Sequence, residues 1–406
     1  MTEPIVHPGP PTSGRHELPP QFHGGAADAT TPLAVRARSQ RRWIYPAVAV
    51  LMLCVGAGVQ LASHLAYDDA RAKWEDASGD WERTREESAA LVLQTQGTAA
   101  AGRTILSVGT DALLPAQARG ELEVALKSAE DAAAEADAKI TSDAAASPSK
   151  PAWFWSLIPA AAALREDTAA AREADADLES LADDLDVALD TLTTAGSAAL
   201  VGAAGAVPAI ETENRWARTA DVIALREAGV DAAAAGSDFD ELSGDIYQHL
   251  EQAVEAVRVS AAQELDEKSG DLYDVRLEIE DYARSIAGGV LLDFDWADIV
   301  NGHGDNGSAG GTATWNSASG GFSTITLSNS VAEMWPSDVM RALVTHEVGH
   351  AIAAKCWEKF DWEDQAANEA WATAWALSMG HTAEGNGASL YGYPEQSMID
   401  AAASCR

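Results

Sequence analysis

An uninterrupted apolar run lies near the N-terminal end of the chain, from Trp43 to Leu65. It contains no Asp, Glu, Lys or Arg, and about 20 apolar residues suffice for a helix to cross a bilayer. A cluster of arginines precedes the run, and Asp68 and Asp69 follow it. Because positive charge stays on the cytoplasmic side, the pattern predicts a single-pass type II membrane protein with a transmembrane helix at residues 43–65. A cleaved signal peptide is the alternative, but no clean A-x-A site follows the run.

The segments on either side of this run differ in texture. Residues 1–42 are rich in Pro, Gly and polar residues without apolar periodicity, which predicts a disordered cytoplasmic tail. Residues 66–270 are Ala-rich and acidic, and they repeat apolar positions at helical spacing, as in "ELEVALKSAEDAAAEADAKI". This pattern predicts a helical, coiled-coil-like stalk, through which self-association is also possible.

Residues 193–210, within this stalk, carry no charge and are the second candidate for a membrane span. They are built from Gly and Ala rather than Leu and Ile, and they include Pro208. Since such residues gain little free energy on insertion, we expect one span only. A second span would return the C-terminal part to the cytoplasm.

After residue 270 the pattern changes from helical spacing to alternation. "GGVLLDFDW" and "FSTITLSNSV" alternate and contain β-branched residues, as strands do. Between them, "NGHGDNGSAGGTATWNSASGG" has the composition of loops and hairpins. Residues 271–406 are therefore predicted to form a separate α+β domain.

Charge and cysteine content narrow the picture. The formal net charge is −36, which disfavours nucleic acid and anionic lipid as partners for the bulk of the chain. The Ala-rich, acidic and Lys-poor composition is typical of high-GC bacteria. Of the three cysteines, Cys54 lies in the apolar run, and Cys356 and Cys405 are expected to form a disulfide if their domain lies outside the cell.

The candidate chemistry lies in "RALVTHEVGHAIAAKCW", where His346 and His350 flank Glu347. Histidines at i and i+4 share one side of a helix, so they can bind one Zn²⁺ while Glu347 acts as general base on an activated water. Ser337 is predicted to cap this helix, and Gly349 lets another backbone approach closely. Two histidines satisfied by core or solvent are the alternative. The buried face is predicted to comprise Val339, Met340, Leu343 and Val344.

A catalytic zinc needs a third protein ligand and an open position. Cys356 stands where the metzincin pattern places its third histidine, and a thiolate there would quench the site. The other candidates for the third ligand are acidic residues. Asp361 and Asp364 lie in the segment after the helix, and Glu369 lies in "AANEAWATAWA" on the next predicted helix.

"HEVGH" followed after 18 residues by Glu369, within "NEA", resembles the gluzincin superfamily of zinc metallopeptidases. The resemblance implies a zincin-like domain with a small sheet and an active-site helix. It also implies His346, His350 and Glu369 as zinc ligands, with Glu347 as base and proton shuttle.

The chain departs from that family in three respects. Thermolysin-like enzymes have an Asp four residues after the Glu ligand to orient a histidine, and here the position is Thr373. Asp361 or Asp364 can take over that role. The exopeptidase signature G-x-M-E-N is absent. No motif identifies the oxyanion donor, for which the candidates are His381, Tyr391 and Tyr393.

Together these patterns predict a membrane-anchored zinc metallopeptidase that hydrolyses peptide bonds of a peptide or protein substrate outside the cell. The alternative is a non-catalytic surface interaction or adhesion protein, in which the stalk carries the function and the zincin-like domain is degenerate.

Overall fold

The computed structural model describes residues 41–141 and 149–406. The predicted tail, residues 1–42, lies almost wholly outside the described residues. Within those ranges the chain is mostly helical, with one three-stranded sheet.

Five helices form the described residues of the N-terminal part, and small apolar residues at helical spacing hold them together. Gly102 of the first helix faces Leu122 and Leu126 of the second and Leu192 of the third. Such narrow apolar faces suit closely packed helices. The helices are α1 (Arg41–Val108), α2 (Ala116–Ile140), α3 (Phe154–Glu213), α4 (Thr219–Ala235) and α5 (Ser243–Glu267).

Contacts between α1 and α3 advance in the same direction along both helices. In order from the N-terminal end, the shared clusters contain Tyr67 with Leu157, Val92 with Leu185, and Gly102 with Leu192. The two helices therefore run parallel, and the start of α3 lies against the N-terminal third of α1.

Among the described residues, two helices, α1 and α3, are long and apolar enough to cross a membrane by length and composition. They differ in packing, because 6% of the most apolar window of α1 is buried in the structure, against 33% in α3. The uncharged residues 193–210 lie in α3, where Gly196 contacts Phe239 and Val207 contacts Gly229. This part of α3 thus contributes to the core of the helical region.

The C-terminal part packs helices around the small mixed sheet. Strand order is β1-β3-β2; β1 pairs parallel with β3, and β2 pairs antiparallel with β3 and forms one edge. The elements are α6 (Tyr273–Ile286), β1 (Leu291–Ala297), β2 (Gly311–Asn316), β3 (Phe322–Ser328), α7 (Asn329–Glu333), α8 (Asp338–Cys356), α9 (Gln365–Ser378), α10 (Ala388–Tyr391) and α11 (Gln396–Ala403).

Alternation along the strands explains this core. Leu292 and Phe294 of β1 and Ile325 of β3 are buried in the same cluster as Val348 of α8 and Trp375 of α9. The edge strand β2 lies in the segment predicted to be loop and hairpin. The sequence did not single it out as a strand because its short Thr- and Ala-containing stretch between glycines lacks an apolar stripe.

Polar contacts join the two parts. Thr219, at the start of α4, donates hydrogen bonds from its N–H and from its hydroxyl to Oδ1 of Asp293 in β1, each at 2.7 Å. Near the predicted boundary at residue 270, buried Lys268 lies 2.7 Å from a carboxylate oxygen of Glu264 and 3.6 Å from one of Glu280. The C-terminal part is therefore attached to the helical region at the start of α4 and at the end of α5.

Candidate metal centre

Helix α8 begins and packs through a few identifiable contacts. The hydroxyl of Ser337 accepts a hydrogen bond from the N–H of Met340 at 3.4 Å, as a capping residue does. Met340, Leu343 and Val344 are buried as predicted. The prediction for Val339 is wrong, since this residue is 39% exposed. It lies about 100° around the helix from Met340, outside the face that contacts the sheet.

His346, His350 and Glu369 bring one ligand atom each within 4.8 Å of one another. Oε2 of Glu369 lies 3.3 Å from Nε2 of His346 and 3.4 Å from Nε2 of His350. Two atoms bound tetrahedrally at about 2.05 Å from one zinc ion lie roughly 3.3 Å apart. The three residues therefore form a group that can hold a metal ion.

Gly349 permits the close approach of α9 that delivers Glu369 to this group. A Cβ atom at Gly349 would lie 2.8 Å from the carbonyl oxygen of Ala372. The indole N–H of Trp371 donates to the Gly349 carbonyl at 3.2 Å. Asp364 caps α9 by accepting from the N–H of Ala366 at 3.1 Å. The close approach expected at Gly349 is thus present.

His346 is oriented by the backbone rather than by a carboxylate. Its Nδ1 lies 3.1 Å from the carbonyl oxygen of Asn386. Because a carbonyl only accepts, Nδ1 donates to it, and in the neutral ring Nε2 then offers the lone pair that a metal ion requires. This contact takes the orienting role that the sequence suggested for Asp361 or Asp364.

Gly387 and Thr373 close the other side of the His346 ring. Gly387 has a φ of 90°, and a Cβ atom there would lie 2.6 Å from Cε1 of His346 and would also clash with the Thr373 hydroxyl. The Thr373 hydroxyl is buried, and it has no hydrogen-bond partner among the described residues. The loop at Gly387 therefore leaves no room for a side chain beside the ligand.

Glu347 lies buried next to the ligand group and against the edge strand. A Cβ atom at Gly311 of β2 would lie 2.5 Å from its Oε1. Its Oε2 has no hydrogen-bond partner within the described part of the chain. Burial raises the pKa of this carboxyl, although His346 and His350 oppose the shift.

The contacts between the histidines and Glu369 favour a protonated His346 and an ionised Glu369. Burial alone would lower the pKa of His346, but the hydrogen bond to Glu369 and the neighbouring carboxylates outweigh it, so the pKa is raised. Burial would raise the pKa of Glu369, but hydrogen bonds with the two histidines hold it well below its ordinary value. The centre of the group is thus a position that stabilises positive charge.

These residues line a cleft of about 600 Å³. Both histidines, Glu347 and Glu369 lie on one wall, and residues of the edge strand β2 form another. Three tryptophans also line the cleft, with Trp362 in edge contact with Trp315 at 6.2 Å and with Trp357 at 6.4 Å between ring centroids. The cleft therefore combines a polar centre with an aromatic side.

Of the three candidate oxyanion donors, Tyr391 lines the cleft. Its ring stacks on that of His346 at 6.0 Å between centroids and an angle of 12°. Burial raises the pKa of Tyr391, and the nearby carboxylates add to the shift. Tyr393 is 73% exposed, and the Nε2 of His381 lies 3.0 Å from the hydroxyl of Tyr282. The structure does not bring His381 or Tyr393 to the cleft lining.

Cys356 forms a disulfide with Cys405, with 6.4 Å between their Cα atoms. It is therefore not a metal ligand; instead it ties the end of α8 to the C-terminus. Cys54 is a free, exposed cysteine in α1.

The structure adds residues that the sequence did not single out. Asn386 acts through its carbonyl, and Gly387 and Gly311 act by lacking a side chain. Trp315 lies on a strand within the segment predicted to be loop and hairpin. Of these, only the glycines in "EGNGAS" carry a recognisable signal, because such runs favour left-handed backbone. Comparison of the chain with family models, curated proteins and solved structures returned no match, so the interpretation of this centre rests on its own geometry.

Proposed function

We propose that the chain is a membrane-anchored, zinc-dependent metallopeptidase that hydrolyses peptide bonds outside the cell. One observation carries the proposal: three ligand atoms, from His346, His350 and Glu369, converge within 4.8 Å beside a buried carboxylate in an open cleft. A metal-ligand triad with an adjacent base is the arrangement that metal-assisted hydrolysis of an amide requires.

Zinc is the metal that this donor set favours. Two imidazole nitrogens and one carboxylate oxygen at tetrahedral spacing suit Zn²⁺, and three protein ligands leave its fourth position open. When bound, zinc polarises the scissile carbonyl and lowers the pKa of water toward 7. A structural zinc would need four protein ligands, and among the described residues the group has three.

Glu347 is suited to move protons. Its carboxylate lines the cleft, and its Oε2 has no hydrogen-bond partner among the described residues, so it is free to accept a proton from water. Its raised pKa makes it a stronger base than an ordinary carboxylate and allows it to hold that proton for transfer to the leaving amine nitrogen. Water thus supplies hydroxide to the carbonyl carbon and a proton to the nitrogen as the C–N bond breaks.

Tyr391 is suited to stabilise the oxyanion. Its ring lies beside His346 on the cleft wall. A tyrosine hydroxyl is protonated at neutral pH, and burial raises the pKa of Tyr391 further in that direction. A positioned hydroxyl can donate to the oxygen on which negative charge develops.

The shape of the cleft supports a peptide as substrate. The strand β2 lies at the edge of its sheet, and its residues 311–316 line the cleft. One row of backbone groups on an edge strand is free to pair with an extended chain. Trp315, Trp357 and Trp362 then offer contact area to apolar side chains of that chain.

We further propose that α1 crosses the membrane with its N-terminus in the cytoplasm, and that α3 does not cross. The exposed apolar side chains of α1 and the charges flanking its run support this topology. Residues 193–210 of α3 pack against α4 and Phe239 instead. The disulfide between Cys356 and Cys405 suits an oxidising location outside the cytoplasm.

The test is hydrolysis of a mixed peptide library by the full-length protein and by its Glu347→Gln variant. We expect a loss of about 10²–10⁴ in kcat, with zinc retained, because Gln keeps the shape of Glu but cannot accept the proton. Equal cleavage by both proteins would contradict the mechanism. A folded protein that binds no zinc and cleaves no peptide would instead support the non-catalytic surface interaction protein.

A further inference from the structure

Large apolar side chains lie exposed at the start of α3. Trp153, Trp155 and Ile158, which we call the aromatic patch, have exposed fractions of 58%, 59% and 55%. The two indoles stack at 5.2 Å between centroids with 5° between their planes. Exposed apolar surface of this kind indicates an interaction site.

The aromatic patch is held at a defined level of α1. The side-chain amide of Gln60 donates to the carbonyl of Ala152 at 2.7 Å and accepts from the N–H of Phe154 at 2.9 Å. One turn further on, Leu157 is buried in the same cluster as Tyr67. The patch therefore cannot slide along α1.

That level coincides with the outer end of the apolar run. From Tyr45 to Gln60 the helix rises roughly 23 Å at 1.5 Å per residue, and the hydrocarbon core of a bilayer is about 30 Å thick. Leu61 and Leu65 of α1 are still 63% and 62% exposed, so the apolar surface of α1 continues past the patch.

Charged groups begin immediately beyond the patch. Lys150 lies 2.6 Å from a carboxylate oxygen of Asp68 and 5.6 Å from the ring centroid of Tyr67. On α1, the change from apolar to charged side chains therefore occurs close to the level of the aromatic patch. Such a change, with tryptophans at the transition, is typical of the boundary between hydrocarbon and lipid headgroups.

We propose that the aromatic patch inserts into the interfacial region of the outer leaflet, beside the point where α1 leaves the bilayer. The indoles recognise this region through their amphipathic character rather than through lipid charge. The proposal rests on α1 spanning the membrane and is independent of the peptidase activity. It gives the extracellular part a second point of attachment, which sets the tilt of α3, a helix of 60 residues and about 90 Å.

The experiment uses the full-length protein in vesicles of zwitterionic phosphatidylcholine, brominated either near the glycerol end or near the terminal methyl of the acyl chain. Tryptophan emission is compared between the parent and the Trp153→Phe/Trp155→Phe double variant, so that the difference reports the two indoles alone. Trp362→Phe is the matched control, because Trp362 is 45% exposed but lies in the cleft of the C-terminal part. Phe retains the apolar packing of each site.

We expect bromine near the glycerol end to lower the Trp153/Trp155 difference signal roughly twofold, and bromine near the terminal methyl to have less effect, as for interfacial indoles. The Trp362 difference signal should stay unchanged. An unquenched Trp153/Trp155 signal in protein that still floats with the vesicles after a carbonate wash would overturn the patch proposal and leave the span intact.

Two further outcomes also overturn the patch proposal. If the protein does not float with the vesicles, the proposal that α1 spans the membrane is contradicted as well. Peptide hydrolysis is measured separately and tests the proposed activity. In the other outcome, bromine at neither position quenches the indoles, and aqueous acrylamide quenches them only after a dimer is diluted to monomer. A second copy of the chain would then cover the aromatic patch.

Discussion

The helical region of α1–α5 and the C-terminal region around the sheet follow different rules. In the first, small residues at helical spacing set the structure, and positions on the open face tolerate change: Gly202 of α3 has nothing within 4 Å of a would-be Cβ. In the second, single positions decide the geometry, as Gly349 and Gly387 do by lacking a side chain. Periodic sequence thus builds an extended support, whereas the candidate centre depends on non-local contacts.

The largest difference between the regions should appear at the metal ligands. Glu369→Gln keeps the side-chain shape but replaces a charged oxygen donor by an amide, so we expect zinc affinity to fall at least about a hundredfold. Isothermal titration with zinc measures this directly. Glu363→Gln, an exposed carboxylate nearby, is the control and should leave affinity unchanged; equal losses in both variants would point to bulk charge instead.

The disulfide offers the next contrast. Removing it with Cys356→Ser/Cys405→Ser frees the C-terminus from α8 and should lower the free energy of unfolding by about 2–4 kcal/mol. Denaturant unfolding followed by tryptophan emission gives the value. Cys54→Ser, in the exposed apolar part of α1, should leave that transition where it is.

Matched glycine substitutions compare the two regions most evenly. Gly349→Ala places a methyl group 2.8 Å from the backbone of Ala372 and should destabilise the C-terminal region by about 1–3 kcal/mol. Gly202→Ala adds a methyl in open space on a helix and should stabilise α3 by roughly 0.5–1 kcal/mol. Thermal unfolding of each variant checks both signs. The same sign at both positions would remove the distinction drawn between the regions.

The smallest expected effect concerns Thr373, whose buried hydroxyl has no partner among the described residues. Thr373→Val keeps the shape and removes that hydroxyl, so we expect a gain of about 1 kcal/mol in the free energy of unfolding. Zinc affinity should not change, because His346 is oriented by the Asn386 carbonyl. A fall in zinc affinity would show that the hydroxyl also positions the histidine.

Sequence patterns predicted the helices better than the surroundings of the site. His346, Glu347 and His350 share one helix, so their spacing alone brings them together. Glu369 could be identified as a candidate ligand because the spacing of the motif places it on the next helix. The role of Asn386 could not be predicted, because any residue can offer a backbone carbonyl. The strand β2 was not singled out within the predicted loop and hairpin segment for a related reason: its pairing with β3, rather than its own sequence, makes it a strand.

The zinc content of the purified full-length protein tests the central claim most directly. After exposure to zinc and extensive dialysis, elemental analysis should give one zinc per chain for the parent protein. It should give none for the His346→Ala/His350→Ala variant, whose remaining ligand, Glu369, cannot hold the ion alone. A folded parent protein without zinc, or a double variant that retains it, would contradict the account.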